Sequence, residues 1–119
     1  MKGNKYKIIV LTLILLCLCS VPVYALSLSY DSELTSLGSY VGGWSYTAGS
    51  GYDYYEVDSY LFEDGDIVDS DSDNDPSWAQ GDVGISNPSG TQHWVIRGYH
   101  NGWIGGVNVY KTSRDYGDS

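Results

Sequence analysis

Tyr54-Tyr55-Glu56-Val57-Asp58-Ser59-Tyr60-Leu61-Phe62-Glu63-Asp64-Gly65-Asp66-Ile67-Val68-Asp69-Ser70-Asp71-Ser72 reads as two strands joined at Asp64-Gly65. Asp-Gly accepts the positive φ angles of a type I′ turn, the connection whose twist matches that of the flanking strands. A turn there sets Glu63 opposite Asp66, Phe62 opposite Ile67 and Leu61 opposite Val68. Apolar side chains then meet on both faces, whereas a slip of one residue would send each to the wrong side.

A second pair of runs surrounds Asn101-Gly102, another two-residue turn signal. It predicts His100 opposite Trp103, with Ile96–Val107 and Trp94–Val109 on the core face. His93–Tyr110, Val95–Asn108, Arg97–Gly106 and Tyr99–Ile104 fall on the other face. Between the hairpins, Ala79 to Ser86 reads as a strand with Val83 and Ile85 inward, closed by Asn87-Pro88-Ser89-Gly90. Upstream, Leu26-Ser27-Leu28-Ser29-Tyr30 alternates with period two, and Tyr40, Trp44 and Tyr46 are in phase within Gly38 to Thr47. Asp31 to Leu37 stays open between one helical turn and an edge segment. Helix formers are scarce and Gly, Ser, Tyr, Val and Asp dominate, a strand composition. The prediction is an all-β chain of about seven strands in one antiparallel sandwich over residues 26–113, with 114–119 a polar, frayed tail.

Tyr60-Leu61-Phe62-Glu63-Asp64-Gly65-Asp66-Ile67-Val68, followed by Ser89-Gly90-Thr91-Gln92-His93-Trp94-Val95-Ile96-Arg97-Gly98, resembles the middle and late strands of immunoglobulin-like and fibronectin type III-like modules. The resemblance implies an immunoglobulin-like β-sandwich. The shorter Gly42-Gly43-Trp44-Ser45-Tyr46 resembles a stretch of secreted bacteriocins.

The chain has 119 residues and a formal net charge of −9. Residues 1–25 read as an export signal: Lys2, Lys5 and Lys7 form a basic start, Ile8 to Cys19 an apolar core, and Val23-Tyr24-Ala25 a small-residue cleavage pattern. An uncleaved membrane anchor over Ile8 to Leu26 is the rival reading, weakened by Thr12, Ser20 and Pro22. Cleavage leaves Leu26–Ser119, in which Arg97, Lys111 and Arg114 stand against all 15 acids. Such a charge excludes nonspecific nucleic-acid binding and electrostatic attachment to anionic lipid. Both cysteines, Cys17 and Cys19, fall inside the signal, so the mature chain has no disulfide, no thiol nucleophile and no cysteine zinc site. The expected location is secreted or on the cell surface.

Two constellations are candidates for function. Asp69-Ser70-Asp71-Ser72-Asp73-Asn74-Asp75 opens like a calcium loop but lacks the glycine and the distal glutamate of that motif. Extending the first hairpin register puts Asp58 opposite Asp71 and Glu56 opposite Asp73, with Asp69 opposite Tyr60. Like charges across a strand pair repel. Either the strands splay into a solvated acidic loop, the plainer reading, or a hard cation such as calcium sits among Glu56, Asp58, Asp69, Asp71 and Asp73. No other cofactor is implied.

The second constellation is aromatic, drawn from 12 Tyr, 4 Trp and 1 Phe. Parity places Trp94, Leu61, Val57, Tyr55, Val68, Ile96, Val107, Val109, Val83 and Ile85 inside. It leaves Tyr60, Phe62, Arg97, Tyr99 and Tyr110 outside on one sheet face bordered by carboxylates, and a patch of that kind marks a contact surface. Catalysis is not expected. His93 and His100 are an odd number of residues apart and point to opposite faces of an extended strand, and no nucleophile elbow is present. The favoured function is an exported, noncatalytic module that binds an extracellular protein or glycan, or a copy of itself, through that face. The alternatives are a structural subunit of an extracellular filament or coat, pairing through Leu26–Tyr30 or Val107–Val109, and a secreted bacteriocin-like peptide.

Overall fold

The computed structural model describes residues 25–119, so the export signal read at 1–25 lies outside the described residues apart from Ala25. Seven strands follow in order: β1 Ser27–Leu37, β2 Tyr40–Ser50, β3 Tyr54–Glu63, β4 Asp66–Asp75, β5 Trp78–Ser86, β6 His93–Ile104 and β7 Val107–Asp118. They form a three-stranded sheet, β1-β2-β5, and a four-stranded sheet, β4-β3-β6-β7, antiparallel throughout. The chain is an immunoglobulin-like β-sandwich. A constant-type immunoglobulin domain adds its fourth strand to the sheet of strands one, two and five. Here the tight turn at Asp64 (φ 47°) and Gly65 (φ 91°) keeps β4 beside β3 instead, as in the fibronectin type III-like arrangement. The open segment Asp31–Leu37 is simply the second half of β1.

Both predicted registers need correction, with opposite consequences. In the first hairpin Glu63–Asp66 and Phe62–Ile67 pair as expected, but Leu61 stands opposite Asp69. Val68 is the extra residue of a β-bulge, and it packs against the core beside Asp69. One extra residue inverts the faces of the rest of β4. The predicted pairs Asp58–Asp71 and Glu56–Asp73 become Asp58–Ser72 and Glu56–Asn74, so the like-charge clash does not arise.

In the second hairpin the turn is at Gly105 (φ 57°) and Gly106 (φ 75°), not at Asn101-Gly102. Asn101 and Gly102 are mid-strand, paired with Glu56 and Tyr55 of β3 on one side and Tyr110 and Val109 of β7 on the other. Two successive glycines also satisfy a type I′ turn, and placing it there extends β6 so that its pairing with β3 runs on to Trp103. His93, expected opposite Tyr110, stands opposite Asp118, eight residues further on. The shift is even, so no face is exchanged. Val107 does move, from the predicted core to 68 % exposure at the hairpin tip. The residues read as a tail, 114–119, continue β7 to Asp118, and Ser119 exchanges two backbone hydrogen bonds with Gln92. Its hydroxyl also accepts the Trp94 indole N–H at 2.7 Å.

The core has two apolar parts. Val41, Leu61, Val83, Trp94 and Ile96 form one, and Tyr55, Val57 and Ala79 the other. A polar waist threads the interior as well. Thr47 Oγ1 donates to the Glu56 carbonyl oxygen (2.8 Å) and therefore accepts from His100 Nδ1 (2.8 Å). Nε2 of His100 is left to accept from Ser113 (2.7 Å), which accepts from Ser32 (2.6 Å). Ser32 in turn accepts from Ser45 (2.7 Å), and Ser45 from Ser59 (3.0 Å). Every hydroxyl donates once in one direction, as a buried network requires. Gly98 makes room for this chain, since a Cβ there would strike the His100 ring and the Ser32 hydroxyl.

His100, read from the sequence as flanking a turn, is 0 % exposed. Burial lowers its imidazole from 6.5 to about 4, against smaller upward pulls from a Tyr46 backbone hydrogen bond and the Asp31 charge. The fold holds it neutral while the unfolded chain takes up a proton near pH 6.5. Stability is thus complete above that pH and falls as pH drops toward about 4, by about 3 kcal/mol over the window. Urea denaturation across this range should show the decline in the native chain and a flattened profile in His100→Gln.

Candidate functional site

The four-stranded sheet turns alternate residues of β3, β6 and β7 to solvent, and the five predicted contact residues all lie on that face. Tyr60 and Arg97 are cross-strand partners. The Arg97 guanidinium lies 5.6 Å from the centre of the Phe62 ring, a cation–π arrangement. Tyr99 meets Tyr60 edge to face at 5.6 Å and Tyr110 nearly parallel at 6.3 Å. Even-numbered pairing error preserved this grouping: Tyr99 faces Thr112 rather than Ile104, yet its side chain leaves the sheet on the predicted side.

Two shallow depressions mark the face. One, of about 370 Å³, is bounded by Asp58, Tyr60, Phe62, Ile67 and Tyr99. The other, of about 480 Å³, is bounded by Arg97, Tyr99, Thr112 and Arg114 over a floor of Gly98 and Ser113. Arg97 and Arg114 are directly opposed across β6 and β7. Neither is paired with a carboxylate: among the described residues the sole ion pair is His93–Asp118 at 2.7 Å.

The five acidic residues proposed as calcium ligands are divided between two locations. Glu56 and Asp58 stay on the outward face, where Asp58 accepts from Ser72 Oγ at 2.6 Å. Asp69, Asp71 and Asp73 turn toward β5 because of the Val68 bulge. Their Oδ2 atoms accept the backbone N–H groups of Gly84 (2.8 Å), Asp82 (2.9 Å) and Gln80 (2.9 Å). Asp75, at the end of β4, accepts instead within the turn from the Trp78 and Ser77 N–H groups at 3.0 and 2.8 Å, and these bonds, with that of the Ser77 hydroxyl, lower its pKa. The alternating aspartates thus form a comb whose teeth take the unpaired donors of an edge strand, one per two residues. Among the described residues no group of three or more His, Cys, Asp or Glu side chains is disposed to hold a metal ion.

Three features escaped the sequence reading. The aspartate comb could have been found by asking which edge strand a period-two acid run would face. His100 bonds Ser113 as a general base bonds a nucleophile, but it has no exposed surface through which a substrate could approach. The third is a second aromatic row, on the outer side of the three-stranded sheet, where Tyr46 stacks on Trp78 at 4.6 Å and Trp44 leans on Tyr46 at 5.5 Å. The in-phase spacing of Tyr40, Trp44 and Tyr46 was its signal. These side chains face outward because Gly43, Ser45 and Thr47 occupy the inner side.

No protein-family model matches the chain, and no curated protein matches it in sequence. Among solved structures it is similar to the CARDB domain of a Pyrococcus furiosus protein in complex with di-metal ions. Identity is 9 %, the alignment covers 76 % of this chain and 85 % of that one, and the TM-score is 0.44. The sandwich assignment rests on this chain's own strand order.

Truncating a tooth of the comb strands a backbone donor, so Asp71→Ala should lower the stability in urea by about 1 kcal/mol, while Asp71→Asn, which keeps an acceptor, should lose less. Because three of the five carboxylates already hold backbone N–H groups, melting curves in EDTA and in millimolar calcium should coincide. An upward shift with calcium would instead restore the ion site.

Proposed function

We propose that this chain is an exported, noncatalytic binding module that grips an extracellular glycan through the outward face of β4-β3-β6-β7. The observation that carries the reading is the convergence of Tyr60, Phe62, Arg97, Tyr99 and Tyr110 on one surface, although the sandwich fills its core from the opposite side of the same strands. Tyrosine suits such a surface, offering a flat apolar ring with a polar tip and few rotatable bonds. The adjacent Asp58, Ser72 and Thr112 supply the acceptors and donors that sugar hydroxyls need. Export is supported by the basic, apolar and small-residue succession of residues 1–25.

The structural-subunit reading has one observation in its favour. Val107 and Ile104 are exposed side by side at the tip of the β6–β7 hairpin, and β7 is the outer strand of its sheet. A rise in scattering mass with concentration would support it.

The test is a glycan array with purified Leu26–Ser119, followed by titration of the best-retained sugar. Replacing Tyr60 and Tyr99 together by alanine should weaken binding about tenfold or more. Trp78→Ala, on the opposite sheet, should leave it unchanged. Equal binding by the Tyr60/Tyr99 variant, with its melting temperature intact, sinks the reading.

A further inference from the structure

Arg97 and Arg114 are two of the three basic side chains among the described residues, in a chain of 15 acids, and they face each other across a strand pair. Two like charges directly opposed destabilise the sheet. With so many carboxylates available, relief by an internal ion pair would be the ordinary solution, yet neither guanidinium has one. Arg97 is steadied instead by the Phe62 ring. Beside the pair, Thr112 is a small residue opposite Tyr99, and Gly98 contributes no side chain, so the sheet is hollowed next to the two opposed arginines. The hollow has a volume of about 480 Å³ and lies open to solvent on the sheet face.

We infer that this hollow is a carboxylate subsite, and that the ligand is an acidic saccharide. The proposal rests on the glycan reading above and deepens it. A ligand carboxylate placed between Arg97 and Arg114 would take charge-assisted, bidentate hydrogen bonds and offset the repulsion between the two arginines. The sugar ring bearing it would lie against Tyr99, whose face continues onto Tyr110 at 6.3 Å, and the Thr112 hydroxyl would meet a ring substituent. A saccharide is favoured over an acidic peptide because the arginine pair adjoins the flat aromatic surface of Tyr99 and Tyr110, against which a sugar ring can lie.

The surrounding charge narrows the class further. Asp58 and Glu56 share the face, and the acid-rich β3–β4 hairpin borders it. Densely sulfated polymers would be repelled as a whole, whereas a saccharide with isolated carboxylates presents one charge at a time within a screening length of the arginines. Uronate-type sugars spaced by neutral units fit that description.

The probes are hyaluronan oligosaccharides, the same oligosaccharides with each carboxyl reduced to a hydroxyl, heparin, and a polyglutamate peptide, each titrated against Leu26–Ser119 by calorimetry. Hyaluronan oligosaccharides should bind with an affinity that falls as salt is added, and the reduced form should bind about tenfold or more weakly. Arg114→Gln and Arg97→Gln should each abolish that difference, and Arg114→Gln, which removes one of two opposed charges and breaks no ion pair, should raise the melting temperature or leave it unaltered. Equal affinity for both forms, lost in the Tyr60/Tyr99 variant, would overturn the carboxylate subsite and leave the glycan face standing. Polyglutamate or heparin binding as tightly as hyaluronan would overturn the choice of an acidic saccharide with isolated charges. Failure of hyaluronan and its reduced form to bind, with another glycan retained on the array, would overturn the subsite and leave the glycan face standing, and retention of no glycan on the array would overturn both.

Discussion

The hydroxyl and imidazole chain from Ser59 to Thr47 sets the terms for the rest of the sandwich. Its direction is dictated at one end by the Glu56 carbonyl oxygen, which can only accept, and each hydroxyl then has a single place for its proton. A buried polar group without a partner is costly, so the chain demands small residues on every strand it crosses. That demand explains why β2 turns Ser45 and Thr47 inward and carries Trp44 and Tyr46 on its outer side. It also explains Gly98 on β6 and Ser113 on β7, which together become the floor of the arginine hollow on the far side of the same sheet. The external hollow and the internal network are two sides of one backbone.

The aspartate comb answers a separate difficulty. A three-stranded sheet has two exposed edges, and β5 is one of them, with a row of N–H groups available to any passing strand. Asp69, Asp71 and Asp73 occupy that row from across the corner of the sandwich, and Asp75 takes the N–H groups of Ser77 and Trp78 in the turn that leads into β5. At the opposite corner Asp115 of β7 does the same for Leu34 of β1 at 2.9 Å. Much of the acidity that looks from composition like solubilising surface is therefore engaged in joining the two sheets.

How far the sequence could be read follows from parity. The strand count, the Asp64-Gly65 turn and the membership of the aromatic face were legible because period-two alternation is strong in β3 and β6 and survives an even error in the β6–β7 turn. The fate of β4 was not, because one bulged residue, Val68, reverses every assignment after it and nothing local in Ile67-Val68-Asp69 announces which residue is extra. His100 was misplaced for a related reason. A histidine beside Asn-Gly looks like a turn residue until the glycine pair at 105–106 is given precedence. The opposed arginines became visible only once the true register brought Arg114 beside Arg97, since the expected partner of Arg97 was Gly106.

The location of the charges along the sheet has a bearing on how the molecule meets a surface. Arg97, Lys111 and Arg114 all belong to the β6–β7 hairpin, while β3 and β4, from Tyr54 to Asp75, carry acids and no base. The four-stranded sheet is thus polarised across its width, with its negative end at β4 and its positive groups toward β7. Near any charged body such a domain would feel a torque before contact, turning β7 toward negative charge and β4 toward positive charge. Charge across the width of the sheet would thus set orientation before any side chain touches.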